Sequence, residues 1–450
     1  MPVEIWYIVA LLAAICITFL VFKRPIYECM LYGYILMVAL TGQWGNIFEH
    51  VKKTSSDTLF YAIVAFLVLA KILDMTGAVD KIVAIIMSVF GRIPGGAGYT
   101  AVVASTFMGA LSGSGAGNVA TTGTFTIPAM KKTGFPPHLA ANIEAASSTM
   151  GNMIPPAAVI LAALACYNEY SGQEMSQSVF WIVVWGIGIW FILQRLITVF
   201  VFCKITKVKA LPKEDVRPLK ETFKEGGIYL ILPVVILLPF ILDYFFKAGF
   251  FTDRLGAGAA KLSSSLLIFT PGLAAIVALL LAKKQKKIRV TEIVNTLGSS
   301  VKSIVPVSAT IFFAYCISNL FSSTDIGANI GSYISSWQIP KVALCFIIPF
   351  ITAILGMVFP GSAQTKIFGT TIIAVLAASG VNPLLAAAML PAITGAMEGM
   401  TPPLALCTYT AMGIAESDFK KTTYNAFIWV GLHYIMCVVC MLGLLPIMGI

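Results

Sequence analysis

Charged residues are scarce in this chain of 450 residues: Asp, Glu, Lys and Arg make up only 11% of it, whereas 58% of the residues are hydrophobic. An ordinary soluble domain carries about 25% charged residues. A soluble fold of this composition would have too few polar side chains to cover its surface. The composition therefore excludes a water-soluble enzyme and indicates a protein whose solvent is lipid.

Histidine is scarcer still, with only His50, His138 and His433, which lie far apart in the sequence. An intramembrane protease or acyltransferase would need paired aspartates, a Ser/His pair or an H-E-x-x-H motif within its spans, and the sequence has none of these. A channel would need a short filter motif repeated around a pore, which is also missing. We therefore predict that the chain is not an enzyme.

The nine cysteines lie almost entirely in apolar stretches. Cys437 and Cys440 form a C-x-x-C one helical turn after His433, but no second Cys/His pair accompanies them, as a metal site would require. We interpret these cysteines as small apolar residues of membrane helices. The sequence predicts no structural disulfide.

Apolar runs of membrane-spanning length are abundant. A membrane helix needs about 20 mostly apolar residues, and the chain could hold about ten such spans besides shorter, interrupted ones. No basic residue precedes the first run, so we interpret it as a retained span rather than a cleaved signal peptide. The pattern predicts an all-α polytopic membrane protein. Five clear runs are 5–22, 178–202, 228–246, 266–282 and 425–448.

The net charge of +10 is concentrated in loops. Basic residues follow the first run at 23–24, populate a connector at 204–224, and form KKQKKIR at 283–289. The positive-inside rule places these short loops in the cytosol and Met1 outside. Because the basic runs only flank hydrophobic spans, they do not form the aromatic-interleaved basic face of a nucleic-acid-binding protein.

An internal repeat is the most informative feature. Residues 123–142 and 369–388 align without gaps at an offset of 246, and eight of the 20 positions are identical. Two unrelated apolar segments would share about two or three. The likeness extends at an offset of 247 to Gly109 and Gly356, and to Met-x-Pro-Pro at 153–156 and 400–403. We predict two structural repeats, inverted as is common in transporters.

Each repeat contains a segment that cannot form one uninterrupted helix. Residues 109–123 read GALSGSGAGNVATTG, and residues 356–369 read GMVFPGSAQTKIFG. Non-helical backbone at membrane depth is tolerated only inside protein or beside a watery cavity. A glycine-rich packing surface is the alternative, but it explains neither Asn118 and Gln364 nor Pro360. We predict a re-entrant hairpin at each segment.

A second pair of breaks, at 152–156 and 399–403, predicts one discontinuous helix in each half, because Pro removes a donor and disfavours helix before it. Helix ends and freed carbonyls attract ions, so the four breaks predict a common binding site. The predicted substrate- and ion-binding residues are Ser112, Gly113, Ser114, Asn118, Thr121, Thr122, Gly356, Pro360, Ser362, Thr365, Glu398, Gly399, Thr401 and Pro402. The predicted sodium ligands among them are Ser112, Gly113, Ser114, Asn118, Gly356, Gly399 and Thr401.

Three long strings resemble the large membrane subunit of TRAP transporters, especially the permeases that work with TAXI-type binding proteins. They are SGSGAGNVATTGTFTIPAMKKTGFPP from 112, EAASSTMGNMIPPAAVILA from 144 and EGMTPPLALCTYTAMGIAESDFKKT from 398. The amphipathic stretch at 78–96 resembles the arm helix of that family. The motifs cover about 80–180 and 340–425.

The resemblance implies sodium-driven uptake of a small carboxylate, either an organic acid or an amino acid, across the inner membrane by an elevator mechanism. An extracytoplasmic binding protein would deliver the substrate. A separate small membrane subunit of about four spans is also expected, because neither end of the chain carries such an extension. Sodium serves as the coupling ion, and no cofactor is expected. A binding-protein-independent elevator carrier of dicarboxylates or inorganic anions is the alternative.

The paired breaks predict a division into a moving domain and a scaffold. Residues 95–170 and 341–415 would form the two halves of the transport domain. Residues 1–94, including the arm, and 171–340, including the basic loops, would form the scaffold, and 416–450 a C-terminal membrane helix.

Three ionisable residues lie near the breaks, where charge is costly and indicates function by default. For Glu398, a functional role and a capping role at a helix end are equally supported. We interpret Glu144 as an ordinary helix-facing carboxylate. Lys366 departs from the family pattern, which has an uncharged residue there, and it could neutralise a substrate carboxylate or pair with a glutamate.

Overall fold

The computed structural model describes residues 2–112, 115–256, 258–283, 288–357, 360–401 and 405–450, and in these ranges every regular element is helical. Short 3-10 and π segments interrupt or join the α-helices. The α-helices are α1 Val3–Cys16, α2 Ile26–Thr41, α3 Ile47–Ser55, α4 Thr58–Thr76, α5 Ala78–Phe90, α6 Gly96–Ser112, α7 Gly115–Thr133, α8 Pro137–Thr149, α9 Ala158–Ser171, α10 Gln177–Thr206, α11 Leu219–Gly226, α12 Ile231–Phe246, α13 Thr252–Leu255, α14 Gly258–Lys283, α15 Val290–Ser323, α16 Ile326–Ser336, α17 Lys341–Leu355, α18 Gly361–Ala378, α19 Pro383–Leu390, α20 Ala396–Glu398, α21 Leu406–Ala415 and α22 Phe419–Met441.

Long apolar helices confirm that the chain is an all-α polytopic membrane protein. Among the described residues, six helical stretches are long and apolar enough to cross a bilayer. Several shorter apolar helices accompany them, including α17 and α21, which belong to the broken segments. The six stretches are Val3–Val21, Thr58–Thr76, Gln177–Thr206, Lys213–Phe246, Val290–Ser323 and Phe419–Met441.

The two repeats use the same local device to begin their central helices. Proline occupies the first turn of both α8 and α19, at Pro137 and Pro383, where its missing N–H leaves no bond unmade. These prolines are 246 positions apart, the offset of the repeat. The side chain of Asn382 also caps α19 by accepting the backbone N–H of Leu384 at 2.8 Å.

Both central helices are interrupted where the sequence predicts breaks. After α8, a 3-10 turn at Met150–Asn152 leads into irregular backbone before α9 begins. After α19, a π-helix at Pro391–Gly395 and the short α20 lead into irregular backbone before α21. Each half therefore holds a helix in two pieces, preceded by a pair of helices: α6 and α7 in the first half, and α17 and α18 in the second.

The second pieces of the broken helices are exchanged between the halves. Helix α9, from the first half, packs on α18 and α19 of the second. Helix α21, from the second half, packs on α7 and α8 of the first. The two halves therefore interlock. Helices α2, α4, α14 and α15 pack mainly on one another beside this core, with α15 also contacting α18.

The two helix pairs approach the centre from opposite ends of the molecule. The end of α7 contacts the basic connector, where Lys132 forms an ion pair with Asp215 at 2.5 Å and Lys209 donates its backbone N–H to the Thr133 carbonyl at 2.9 Å. Helices α8 and α9 lead from there across the molecule. At the far end of α9, Glu169 accepts a hydrogen bond from Thr370 of α18 at 3.2 Å. Inverted repeats would give this arrangement.

Candidate functional site

A cavity of about 260 Å³ lies where the two helix pairs and the two breaks meet. The predicted site residues Pro360, Ser362, Glu398 and Gly399 line it. From the first half come the start of α7, at Gly115 and Ala116, and the break residue Asn152; from α4 and α15 come Leu67, Pro306 and Thr310. The structure thus brings the two repeats to one cavity bordered by α4 and α15.

A smaller cavity of about 100 Å³ lies beside the first turn of α7. The predicted residues Asn118 and Thr121 line it, facing Lys71 and Asp74 of α4 and Ser303 of α15. This cavity also reaches Val79 of the arm helix α5. The arm packs on α11, which begins within the basic connector, so the small cavity faces the side that the positive-inside rule assigns to the cytosol.

Only one of the two polar atoms of the Asn118 amide has a hydrogen-bond partner among the described residues. It is 2% exposed, and its Nδ2 donates to the Ser105 carbonyl of α6 at 2.6 Å. Its Oδ1 accepts no hydrogen bond from any residue that the structure describes. An amide oxygen has two acceptor sites, so this buried oxygen is available to a donor or a cation.

Gln364 of α18 repeats this arrangement in the second half. Its Nε2 donates to the Thr352 carbonyl of α17 at 3.1 Å, and its buried Oε1 likewise accepts nothing within the described part of the chain. Gln364 lies 246 positions after Asn118, and Thr352 lies 247 positions after Ser105. The sequence analysis left Gln364 out of the site, although the repeat offset identifies it.

These two oxygens are chemically suited to a small hard cation. A buried acceptor without a partner costs about 1–3 kcal/mol. Four buried amide oxygens of the described residues accept no hydrogen bond, the other two being those of Gln177 and Asn425, but only Asn118 and Gln364 lie at matched positions of the predicted repeats, and this match favours a ligand. Neutral carbonyl oxygens are typical ligands where a cation sheds part of its water.

Glu398 caps a helix other than its own. Its Oε2 accepts the backbone N–H of Gly361, the first residue of α18, where the helix dipole favours negative charge. Gly356 lies against it, since a Cβ added there would be 3.4 Å from the Glu398 Cα. A Cβ on Gly361 would be only 2.3 Å from the Gly395 Cα, so only glycine permits this contact between α18 and the π-helix. Glu398 therefore both caps α18 and lines the central cavity.

Glu144 is fully buried and surrounded by hydroxyl groups. It accepts hydrogen bonds from Ser105 at 2.7 Å, Thr122 and Thr126 at 2.5 Å each, and Ser148 at 3.1 Å. The predicted site residue Thr122 therefore bonds to Glu144 and does not line either cavity. Four donors to one carboxyl group make this cluster the polar centre that holds α6, α7 and α8 together.

Two other predicted residues also bond within the protein. Thr365 bonds to Thr394 of the π-helix at 2.6 Å, and Thr401 donates to the carbonyl of the preceding turn at 2.6 Å. Gly399 lines the cavity, but its carbonyl already accepts two backbone N–H groups from the start of α21. Predicted positions Gly113, Ser114 and Pro402, and the side chain of Ser112, lie outside the described residues.

Lys366 pairs with a glutamate rather than facing the central cavity. Its Nζ lies 3.3 Å from Glu169 Oε2 on α9 and 4.7 Å from the centre of the Tyr315 ring on α15. Ser322 of α15 also donates to Glu169. Of the two roles considered for Lys366, the structure supports the ion pair, and the pair lies where the broken helices contact α15.

Asn152 was not singled out by the sequence analysis. It lines the central cavity, and its Nδ2 donates to the Gly395 carbonyl at 2.7 Å, which joins the first break to the second. Its position just before Met-x-Pro-Pro is the sequence feature that could have identified it as a site residue.

Comparisons with known proteins agree with this architecture. Residues 8–447 match the family model described as tripartite ATP-independent periplasmic transporter, DctM component. The C4-dicarboxylate TRAP transporter large permease protein DctM of Vibrio cholerae is 24% identical over 395 residues, covering 84% of this chain and 82% of that protein. The 2,3-diketo-L-gulonate TRAP transporter large permease protein YiaN of Escherichia coli is 22% identical over 414 residues, covering 91% of each.

A solved structure shares the fold. Neisseria gonorrhoeae MtrF, presented as illuminating a class of antimetabolite efflux pumps, superposes with a TM-score of 0.59 at 13% identity, covering 90% of this chain and 83% of that one.

Proposed function

Because this chain belongs to the DctM component family of tripartite ATP-independent periplasmic transporters, we propose that it couples uptake of a small carboxylate to sodium ions by an elevator motion. Membership confirms the predicted TRAP large permease subunit, a membrane transporter component and not an enzyme. The two relatives are named for C4-dicarboxylates and 2,3-diketo-L-gulonate, which both carry carboxylate groups. This favours a carboxylate substrate here as well.

Two amide oxygens that accept no hydrogen bond from the described residues support sodium as the coupling ion. Asn118 and Gln364 each fix their amide by donating to a carbonyl of the neighbouring helix and present the oxygen. An amide does not take up or release a proton near neutral pH, so these groups suit a metal cation and not a proton. We propose one sodium site in each repeat, with Gly356, Gly399 and Thr401 as further predicted ligands.

The central cavity is the proposed substrate site. It lies beside the start of α7 and beside the N-terminus of α18, where the helix dipole favours an anion. Ser362 and Thr310 add hydroxyl groups to its wall. Glu398 already caps α18, so a substrate carboxylate would have to displace it or bind beside it with the help of bound cations.

The interlocked halves support movement as one body. We propose that 95–170 and 341–415 form its core, and that α10 and α22 move with it, although the sequence analysis placed 171–340 in the scaffold and treated 416–450 separately. Helix α22 packs on α8, α17 and α19, and α10 packs on α6 and α19, all of which belong to the proposed body. The remaining helices would form the scaffold.

Two partner proteins complete the proposal: a small membrane subunit and an extracytoplasmic binding protein. The word tripartite in the family description supports this assembly. The likeness to permeases that use TAXI-type binding proteins stays a prediction.

Uptake by the reconstituted assembly tests the coupling. The chain and its small subunit are placed in proteoliposomes, substrate-loaded binding protein is added outside, and gradients of sodium, potassium or protons are imposed separately. Uptake driven by the sodium gradient alone is expected. Uptake that follows only the proton gradient would contradict the proposal and would favour Glu398 as a proton carrier.

Cross-linking tests the elevator motion. Ala116 of α7 and Val307 of α15 line the same cavity from the two proposed bodies. A bifunctional thiol reagent that bridges cysteines at these positions, in a background without the native cysteines, should abolish uptake. The matched control bridges Phe346 of α17 and Tyr434 of α22, whose ring centres lie 6.3 Å apart within the moving body and outside that cavity. Unchanged uptake with the first bridge would exclude the motion.

A further inference from the structure

Arg195 is a buried cation on the membrane helix α10, with 1% of its surface exposed. No carboxylate among the described residues forms an ion pair with it. Instead its Nε donates to the Ala146 carbonyl at 3.1 Å, its Nη1 to Gln194 Oε1 at 2.7 Å, and its Nη2 to His433 Nδ1 at 3.0 Å. A charge within the membrane is costly, and its retention calls for a functional explanation.

The hydrogen bonds of His433, on α22, have a fixed direction. A guanidinium group has only donors, so His433 Nδ1 must accept from Arg195. The imidazole is then neutral with its proton on Nε2, which donates to the Ala392 carbonyl at 2.8 Å. One continuous chain of hydrogen bonds therefore runs from the Ala146 carbonyl through Arg195 and His433 to the Ala392 carbonyl.

The two carbonyls at the ends of this chain lie at closely corresponding positions of the predicted repeats. Ala146 and Ala392 are 246 positions apart, and the aligned blocks before and after them have offsets of 246 and 247. Ala146 lies in the last turn of α8, just before the first break, and Ala392 lies in the π-helix that precedes the second. The side chains that join them come from α10 and α22, outside both broken helices.

The breaks that follow these carbonyls form the cavity wall. Asn152, six residues after Ala146, lines the cavity and donates to Gly395 at 2.7 Å. Glu398 and Gly399, six and seven residues after Ala392, also line it. Two connections therefore join the two breaks. One is the Asn152–Gly395 hydrogen bond at the cavity wall, and the other is the Arg195–His433 pair, which lies farther from the cavity.

We propose that Arg195 and His433 are positioning residues that hold the two broken helices at the spacing at which both repeats present their ligand oxygens together. The inference rests on the proposed sodium-coupled function. Neither residue contacts the cavity. Both groups are planar and confined by Phe191, whose ring centre lies 4.6 Å from that of His433 and 5.9 Å from the Arg195 guanidinium. A displacement of one break is therefore transmitted to the other.

Three variants and one control separate positioning from folding. His433→Phe removes both hydrogen bonds of the ring. His433→Gln restores one acceptor and one donor on a planar group. The double variant Arg195→Met/His433→Leu removes the buried charge together with its partner, a change that is often tolerated in stability. Cys440→Ala is the control, since Cys440 is buried in apolar contacts on α22 two turns after His433.

Two readouts are measured: the sodium concentration that gives half-maximal uptake, and amide hydrogen exchange in 150–157 and 391–401. In His433→Phe and the double variant, we expect the sodium requirement to rise by about tenfold or more, the effect typical of lost support behind metal ligands. Both segments should lose protection together. His433→Gln should recover most of the wild-type sodium response, and Cys440→Ala should change neither readout.

The proposal is overturned if the double variant matches Cys440→Ala in both readouts, or if protection is lost while the sodium requirement stays at the wild-type value. Wild-type protein without any sodium response would instead refute the proposed function. In that case exchange alone decides the positioning role: joint loss of protection in the two segments supports it, and unchanged protection rejects it.

Discussion

Replacing Asn118 and Gln364 by alanine, separately and together, tests whether their amide oxygens bind the coupling ion. Each change removes one donated hydrogen bond, to Ser105 at 2.6 Å or to Thr352 at 3.1 Å, and one buried oxygen that accepts no hydrogen bond within the described part of the chain. Asn142→Ala is the matched control. Asn142 is also a buried amide that donates to two carbonyls at 2.9 Å, but its oxygen, unlike those of Asn118 and Gln364, is not a buried acceptor without a partner among the described residues.

The two explanations of these amides predict different magnitudes. A packing hydrogen bond between membrane helices contributes about 0.6 kcal/mol on average. Packing alone therefore predicts a similar, small loss of stability in Asn118→Ala, Gln364→Ala and Asn142→Ala. An oxygen that contacts a cation resembles a hydrogen bond to a charged group, about 1.5–3 kcal/mol. That corresponds to a sodium half-saturation about ten- to a hundredfold higher for Asn118→Ala and Gln364→Ala.

The assay is sodium-dependent uptake in proteoliposomes at saturating loaded binding protein, with thermal unfolding in detergent as the check on folding. If each repeat holds one ion, the uptake curve should be sigmoidal in the wild type and lose its cooperativity in either single variant. Asn118→Asp should not restore activity, because one carboxylate oxygen would face the Ser105 carbonyl. If both alanine variants keep the wild-type sodium curve, as Asn142→Ala should, the amides are packing groups and the ion sites lie elsewhere.

Other measurements follow from the buried polar groups and the proposed assembly. Thr126→Val, which removes one of four donors to Glu144, should lower the free energy of unfolding by about 1–3 kcal/mol, whereas Thr124→Val on the exposed face of α7 should change it little; equal effects would contradict the importance of the cluster. Lys366→Met should destabilise the protein by less than the about 3–5 kcal/mol of a fully buried pair, because the side chain of Glu169 is 25% exposed, and Glu169→Gln in the same protein should restore most of the loss. A double variant less stable than Lys366→Met would refute the pairing. The chain with its small subunit but without binding protein should show little uptake, and robust sodium-driven uptake by the chain alone would favour the binding-protein-independent alternative.

The contact between the arm helix α5 and α11 shows what the tertiary structure added to a sequence prediction. The sequence predicts an amphipathic helix at 78–96, and the structure has α5 at Ala78–Phe90. Its partner was not predictable, because Lys81 bonds to Glu225, 144 residues later, at 3.1 Å. Periodicity reports which face of a helix is apolar, but not which distant segment covers it.

Buried ionisable residues were the least predictable part of the site. The sequence placed Glu144, Glu398 and Lys366 near the breaks, but their partners come from other helices. The sequence analysis did not single out Arg195 and considered His433 only beside Cys437, because the importance of both depends on contact with carbonyls on two other helices.

The sequence by itself determined the solvent and the positions of the breaks, and it predicted the repeat. Composition requires lipid, the 246-residue offset predicts two related halves, and clustered glycine and the Pro-Pro pairs weaken a helix locally, although single prolines such as Pro128 and Pro306 stay inside α7 and α15. Only the tertiary structure decided which broken pieces are exchanged between halves, which buried amide oxygens accept no hydrogen bond among the described residues, and which carboxyl groups are already satisfied. Those outcomes depend on distances between residues far apart in the chain, and a hydrogen bond exists only when both groups reach the same point in space.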